Sequence, residues 1–388
     1  LEKQVTADVR VSKKGADRFR SGHPWIFRSD VTDASQATGG HIVRVLDNRG
    51  QQLGHAHYSS SSQIAVRMLK GSTEVADFGA RIAAAQRFRK QVVTDSTAYR
   101  VVHAEADFLP ALIVDRYGDC LAVQALNQGM DHALPEITEI LKEQFEPRAI
   151  VARNDAAVRT LEELPREIKV LSGELDGPVT VRMNGFKLEA DLLHGQKTGV
   201  FLDQRENYLA AALYGHGKAL DLFTCTGGFG LHLARCCEHV EAVDSSAPAL
   251  ATAQRNAEAN GLENITFREA DAFELLSGYA SARRTFNTIV LDPPSFAKSR
   301  TQLDGAARGY KDINLRAMRL LPPGGVLVTN SCSHHMSEAM LLEIVAQASL
   351  DAGRTLRILD RRTQAKDHPI LLTVPETHYL KCLILQVA

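Results

Sequence analysis

Two stretches hold residues whose types and spacing could do chemistry. "TIVLDPPSFAKS", residues 288–299, ends an apolar run in Asp292 before Pro293 and Pro294. "VLVTNSCSHHM", residues 326–336, ends another in Cys332 between two serines. Each reads as a buried strand that stops at a reactive group. The prolines cannot extend a ladder, so they stop the strand and stiffen a ledge, running on to Ser295, whose carbonyls can meet a flat base. A thiolate added at position 6 of a cytosine ring breaks its aromaticity and loads electron density onto carbon 5, which can then attack a methyl group. Asp292 would support protonation at ring nitrogen 3 during the addition. A base must afterwards remove the carbon-5 hydrogen so that the thiol can leave. From position alone, a buried structural thiol at a strand end explains Cys332 equally well.

A second group of residues suits an adenosine-containing cofactor. "DLFTCTGGFG", residues 221–230, runs from a strand into a glycine-rich turn, where Gly227, Gly228 and Gly230 let the backbone approach a ligand before a helix starts. The spacing is not G-x-G-x-x-G, so a dinucleotide loses its usual support. The next strand ends in Asp244, placed to accept hydrogen bonds from both hydroxyls of a ribose. The third ends in "ADAF", where Asp271 and Phe273 could hold and flank an adenine. The bland alternative, a structural turn with acidic helix caps, explains less. "GQKTG" at 195–199 lacks the upstream glycine of a phosphate-binding loop, which argues against nucleotide hydrolysis. His334 and His335 have no third partner, so no metal site is expected. The Cys236–Cys237 pair falls in "FGLHLARCC", read as a helix with core-facing thiols.

These residues need a frame, and the pattern supplies one. From about residue 217, strands and helices alternate through "KALDLF", "FGLHLARCC", "VEAVDSS", "PALATAQRNAEANG", "ITFREAD", "TIVLDPP", "INLRAMRLL", "GVLVTNS" and "EAMLLEIVAQASL", and "TLRILDRR" and "HYLKCLILQV" complete the set. Near-continuous apolar strands between helices predict an α/β fold with a doubly wound, seven-stranded parallel sheet, which binds ligands beyond the carboxyl ends of its strands. The fourth and fifth strands would be neighbours, about 4.8 Å apart, bringing Asp292 and Cys332 together. Residues 186–388 are assigned to this domain. Residues 76–185 read as an α+β domain, with helices in "DFGARIAAAQRFRKQVV" and "LPEITEILKEQF" and a hairpin in "ALIVDRYGDCLAVQAL". Residues 1–75 read as short strands, among them "HIVRVLD" and "QIAVRML". This small module holds eleven basic and seven acidic residues and the only tryptophan, Trp25, which suggests polyanion contact about as strongly as it suggests a solvated charged surface.

Bulk properties set wide bounds. The 388 residues are 44% hydrophobic and 23% charged, with a formal net charge of −1, an ordinary globular composition with no global sign of a nucleic-acid partner. Six cysteines fit neither a disulfide framework nor a paired zinc motif, so reduced thiols and a cytoplasmic setting are expected. No apolar run approaches the length of a membrane span, and the opening "LEKQVTADVR" shows no secretory signal. A homodimer is compatible with the chain, since symmetric dimers are common among soluble enzymes.

Together, "DLFTCTGGFG", "LDPPSFAKS" and "NSCSHHM" resemble class I S-adenosylmethionine-dependent methyltransferases, and more narrowly the bacterial large-subunit ribosomal RNA cytosine-5 methyltransferases of type I. "HGQKTGVFLDQREN" is similar to that family's entry to its catalytic domain. "SGHPWIFRSD" with "GHAHYSSSSQIAVRML" resembles its N-terminal PUA domain, and "VVHAEADFLPALIVDRYGD" its central domain. The resemblance implies S-adenosyl-L-methionine as cofactor and RNA, large-subunit ribosomal RNA, as partner. It implies cofactor contacts from Thr198, Phe201, Asp203, Arg205, Asp221, Phe223, Gly227, Asp244, Asp271 and Asp292, and a nucleophile at Cys332. With the reading of Phe273 above, these form the expected cofactor site. Pro293, Pro294, Ser295 and Trp25 are the expected substrate contacts. Many RNA cytosine-5 methyltransferases carry a second cysteine where this chain has Ser295, so the base that releases product is left unassigned. A related branch shares the Asp-Pro-Pro motif but methylates guanine and needs no cysteine, and "SCSHH" is the reason to prefer cytosine. The remaining alternative is an RNA-binding or assembly factor that keeps the fold without activity.

Overall fold

The computed structural model describes residue 5 and residues 7–69, 77–195, 197–296 and 302–388. The expected domain boundary at 75–76, Gln196 and the three residues that follow Phe296 in the Asp-Pro motif lie outside the described residues. The chain divides into two compact units. One comprises 1–183, 190–200 and 366–377, and the other 184–189, 201–365 and 378–388.

The first unit holds a six-stranded sheet and a five-stranded sheet. In the six-stranded sheet, Val9, Val11, Val43, Val45 and Val66 alternate inward to form a small core with Ile26 and Met68. Here the structure corrects two expectations. "QIAVRML" pairs only over Val66–Met68. The segment Lys13–Arg20 is a helix rather than a strand, with Ser12 accepting from Gly15 N at 3.1 Å as its N-cap. Only Gly15 and Ala16 of that helix are buried, so its polar composition hides it from periodicity. The five-stranded sheet contains the expected hairpin, Leu112–Tyr117 with Cys120–Ala125, and the two expected helices form at Phe78–Val92 and Leu134–Phe145.

The second unit is the alternating one. Its elements are β1 (Lys218–Leu222), α1 (Gly228–Leu233), β2 (His239–Asp244), α2 (Ala247–Ala259), β3 (Ile265–Glu269), α3 (Ala272–Ser281), β4 (Thr288–Leu291), α4 (Leu303–Arg319), β5 (Val326–Ser331), α5 (Glu338–Asp351), β6 (Leu356–Arg362) and β7 (Lys381–Val387). The sheet order is β3-β2-β1-β4-β5-β7-β6. Strands β1 to β5 are parallel, whereas β7 runs antiparallel to both β5 and β6. The doubly wound, seven-stranded architecture is therefore as expected, with one reversed strand inserted near its edge. Leu220, Leu222, Ile289, Leu291, Leu327 and Leu385 fill one face of the sheet against Tyr310, Ile313 and Leu341 of the covering helices. Helix α1 ends at Leu233, so Cys236 and Cys237 follow it in a turn, Cys236 exposed and Cys237 buried. This corrects the helical, core-facing reading of the pair.

Candidate active site

Five strand ends converge in the second unit. At the end of β1 the backbone turns sharply through Phe223 (φ +66°), Cys225 (φ +49°) and Gly227 (φ +94°). Two L-residues in the left-handed region within three positions mark a strained turn of the kind found at ligand sites. A Cβ at position 228 would lie 2.4 Å from the Tyr208 ring, so Tyr208 itself demands this glycine. Asp221 is fully buried, and its Oδ2 accepts from the Thr224 hydroxyl at 2.6 Å. Its Oδ1 is a buried acceptor with no donor among the described residues. Burial pushes the Asp221 carboxyl up to about 7. The fold therefore keeps a proton that the unfolded chain releases near the ordinary carboxylate value. Stability falls as pH rises from about 4 to about 7, and stays lowered above that. Asp221→Asn is expected to raise the Tm of the cofactor-free protein at pH 8, by about 2–4 °C for each kcal/mol recovered, and to leave it unchanged at pH 4. An equal Tm at pH 8 would contradict that strain.

Asp244 holds the turn from the next strand. Its Oδ2 accepts from Cys225 N at 2.9 Å, and its Oδ1 accepts from Ser246 N at 3.0 Å. Asp271 caps α3 by accepting from Phe273 N and Glu274 N. Both acidic strand ends thus have the structural duty that the bland alternative assigned to them, while each carboxylate keeps lone pairs for a ligand. The Phe273 ring lies 6.3 Å from Phe296, which in turn packs 4.7 Å from Tyr310. An aromatic row thereby leads from the end of β3 to the Asp-Pro segment.

The reacting end is set by β4 and β5. Asn330 Nδ2 donates to the Leu291 carbonyl at 3.1 Å, tying the last turn of β5 to the residue before Asp292. Asp292 and Cys332 are both half-buried, Pro293 is buried, and Pro294 and Ser295 face outward to different degrees. Asp292 Oδ1 accepts from Gln204 Nε2 at 2.9 Å, and Gln204 Oε1 accepts from Asn207 Nδ2 at 2.6 Å. Burial pushes the Tyr310 hydroxyl up to about 12, with the Cys332 and Asp292 charges adding to the effect, so one phenol senses both groups. Burial, with the Asp292, Asp203 and Asp221 carboxylates nearby, likewise keeps Tyr208 protonated.

The remaining expected residues are distributed as follows. Phe201 and Asp203 precede the helix Arg205–Tyr214 in this same unit, and Arg205 opens it. Asp203 Oδ2 accepts from the Tyr379 hydroxyl at 2.8 Å, and the Phe201 carbonyl accepts from the Tyr208 hydroxyl at 3.4 Å. Arg205 is buried, 3.6 Å from Glu206. Thr198 belongs to the other unit, where its hydroxyl donates to Asp115 at 2.7 Å and shares a 2.7 Å hydrogen bond with Tyr117. Trp25 also lies there, its indole N–H donating to Glu105 at 2.9 Å. His334 and His335 are exposed, and the His334 ring lies 5.3 Å from Tyr379. Gln204, Tyr208, Tyr310 and Lys381 were missed. The first two sit inside "FLDQRENY", whose neighbours were singled out. Lys381 is the lone charge in a strand whose only other polar residue is Gln386, a signal that was readable.

The strained glycine turn, the donor-free Asp221 oxygen and the acidic ends of β2 and β3 fit an adenosyl cofactor with an amino-acid tail. Comparison with known proteins agrees. Residues 9–70 match the PUA-like domain family, and residues 215–371 match a methyltransferase domain family. The chain is similar, at 44% identity over 94% of its length and 95% of the relative's, to "Ribosomal RNA large subunit methyltransferase I" of Shewanella amazonensis. The protein of the same description from Photobacterium profundum is 41% identical over 97% of this chain and 98% of its own. Among solved structures, a SAM-dependent methyltransferase from Streptococcus mutans superposes with a TM-score of 0.82 at 18% identity, covering 98% of this chain and all of that one. A methyltransferase solved in complex with SAH superposes at 0.85 with 19% identity over the same shares. These two show the class I methyltransferase fold, and the methyltransferase domain together with the ribosomal RNA methyltransferase relatives carries S-adenosylmethionine as the cofactor. By its relatives, the chain belongs to the family of the large-subunit ribosomal RNA methyltransferases I.

Proposed function

We propose that this protein transfers a methyl group from S-adenosylmethionine to carbon 5 of a cytosine in large-subunit ribosomal RNA, through a covalent adduct at Cys332. The observation that supports the reading is the parallel pairing of β4 with β5, whose register runs to Leu291 opposite Thr329, so that Asp292 and Cys332 both follow the ends of adjacent strands. The cofactor supplies an electrophilic methyl group on sulfur. Asp221, Phe223, Gly227, Asp244, Asp271 and Phe273 would hold it, with Phe201, Asp203, Arg205 and Asp292 closing the same side. Cys332 adds as thiolate to carbon 6 of the base, forming a C–S bond. Asp292, steadied by Gln204, supports the proton at ring nitrogen 3. After carbon 5 has taken the methyl group, loss of its hydrogen to a base breaks the C–S bond and frees the thiol. Chemistry on carbon 5 needs both faces of the ring, so the base must be flipped out, and the Pro293-Pro294-Ser295 ledge supplies its support. The deciding experiment is methyl transfer from labelled S-adenosylmethionine to unmodified large-subunit ribosomal RNA, with mass analysis of the digested nucleosides. 5-Methylcytidine is expected. A methylated guanosine would return Cys332 to a structural role, and no product with intact cofactor binding would favour an assembly factor.

The N-terminal module would grip RNA phosphates, with the Trp25 ring near the path and its N–H already committed to Glu105. Lys13 and Lys14 are exposed on the helix that follows β-strand Asp8–Val11. Replacing both by alanine is expected to weaken RNA binding and to reduce the slope of log K against log salt by about 1 per lost phosphate contact. An unchanged slope would move the RNA elsewhere. Such an enzyme meets its substrate in the cytoplasm, and a homodimer would show as a doubled mass in solution.

A further inference from the structure

Lys381 is the least expected charge of the catalytic unit. It opens β7, it is the register partner of Ser331 on β5, and only 2% of it is exposed. Its Nζ donates to the Ser333 carbonyl at 2.6 Å and to the Tyr379 carbonyl at 2.9 Å. Two backbone carbonyls thus fix the ammonium and leave it a third N–H. Cys332 lies between the two positions of β5 and its extension that Lys381 engages, Ser331 through the strand register and Ser333 through the carbonyl. A lysine buried this deeply is maintained by a local need for positive charge or by a charge partner. Burial is the largest influence on its amine, and of the groups that oppose burial Cys332 comes first and Glu338 second.

We propose that Lys381 is a positioning residue that presents its third N–H to Cys332 and holds the thiol as thiolate. Its catalytic meaning rests on Cys332 being the nucleophile. The thiol proton goes to solvent, Lys381 keeps its own, and the same ammonium receives the leaving thiolate when the C–S bond breaks. Other titratable groups lie on the elements around the pair. Asp292 comes from the end of β4, Glu338 from the first turn of α5, Tyr310 from α4, Cys382 from β7 and His334 from the turn after β5. The Asp292 carboxylate disfavours a further negative charge, whereas Glu338 is itself paired with Arg361. Tyr310 is neutral and accepts from the Ser331 hydroxyl at 3.0 Å, and burial pushes the Cys382 thiol up, leaving it protonated. Lys381 supplies the opposing charge. Burial lowers its amine to about 8, so the ammonium is present at neutral pH and is lost as pH rises through that value.

The test uses the full chain. Wild type, Lys381→Met and Lys381→Arg are pulsed with iodoacetamide from pH 6 to 10, and alkylation of each cysteine is read by peptide mass spectrometry. Exposed Cys236 serves as an internal reference. Lys381→Met is expected to raise the Cys332 midpoint by about one unit or more, a roughly tenfold slower alkylation at pH 7, with Cys236 unchanged. Lys381→Arg keeps the wild-type midpoint. Methyl transfer by Lys381→Met falls similarly at pH 7 and recovers as pH approaches the new midpoint. An unmoved Cys332 midpoint in a variant that still binds S-adenosylmethionine overturns the proposal. So does a wild-type midpoint at or above the ordinary thiol value of about 8.5, a result that needs no variant to fold. Failure of the covalent reading looks different, because 5-methylcytidine formation by Cys332→Ala leaves the wild-type thiol midpoint where it was.

Discussion

Cys332→Ala is expected to abolish methyl transfer to RNA, by roughly 10⁴-fold or more, while leaving S-adenosylmethionine affinity within a few-fold of wild type. The size follows from the chemistry. Carbon 5 of cytosine is a poor nucleophile until carbon 6 carries an electron-rich substituent, and an alanine methyl group supplies none. The selectivity follows from the structure. Cys332 lies past the end of β5, whereas the glycine turn and the Asp244 and Asp271 carboxylates lie at the ends of β1, β2 and β3. Cys332 is half-buried, so its truncation removes one sulfur from a partly solvated position and should disturb the fold little. RNA containing 5-fluorocytidine sharpens the test. Fluorine at carbon 5 cannot leave as a proton, so the C–S bond cannot be broken after methyl transfer. Wild type should form a complex that survives denaturing electrophoresis, and Cys332→Ala should form none. A resistant complex in the variant, or undiminished turnover, would remove Cys332 from the reaction.

The parts of this fold set by local pattern were readable in the chain. Alternation of apolar strands with capped helices placed β1 to β5 in order, and parallel strand order then put Asp292 and Cys332 past the ends of neighbouring strands. What escaped depends on contacts between distant segments. The reversed strand β7 sits between β5 and β6, and no periodicity in "LKCLILQV" states which neighbour it pairs with or in which direction. Lys381, brought in by that strand, is therefore far from Cys332 in sequence and next to its flanking residues in space. Gln204 comes from the turn before the helix ahead of the sheet, Tyr208 from that helix, and Tyr310 from α4. The positive φ of Phe223 and Cys225 is invisible in residue types, because glycine is the usual advertisement for such a conformation and neither residue is one.

Some sequence signals carried two meanings at once. Asp244 and Asp271 were singled out as ligands, and both also satisfy backbone N–H groups at helix starts. One geometry serves both ends: an acceptor at a helix N-terminus lies at the carboxyl edge of the sheet, where ligands bind. In the other direction, the polar helix Lys13–Arg20 presents only Ala16 and Phe19 to the core, too short an apolar stripe to mark it out in the sequence.

Asp292→Asn is expected to lower kcat for methyl transfer by about 10²–10⁴-fold, the range associated with losing one acid–base group. Asparagine is nearly isosteric, and its carbonyl can still accept from Gln204 Nε2, so the strand end should hold its shape and cofactor affinity should change little. What is lost is the charge that supports a proton on ring nitrogen 3. Gln204→Ala should be milder, near tenfold, since it frees the carboxylate without removing it. The two stages of the reaction separate the assignments. Asp292 is placed in the addition step, so Asp292→Asn should slow formation of the Cys332 adduct, including the trapped complex with 5-fluorocytidine RNA. A group needed only to take the proton from carbon 5 would behave in the opposite way, and its loss would let the adduct form on ordinary RNA and accumulate. Accumulation in Asp292→Asn would therefore transfer Asp292 to the release step. It would also supply the base left unassigned by Ser295, which stands where many RNA cytosine-5 methyltransferases carry a second cysteine.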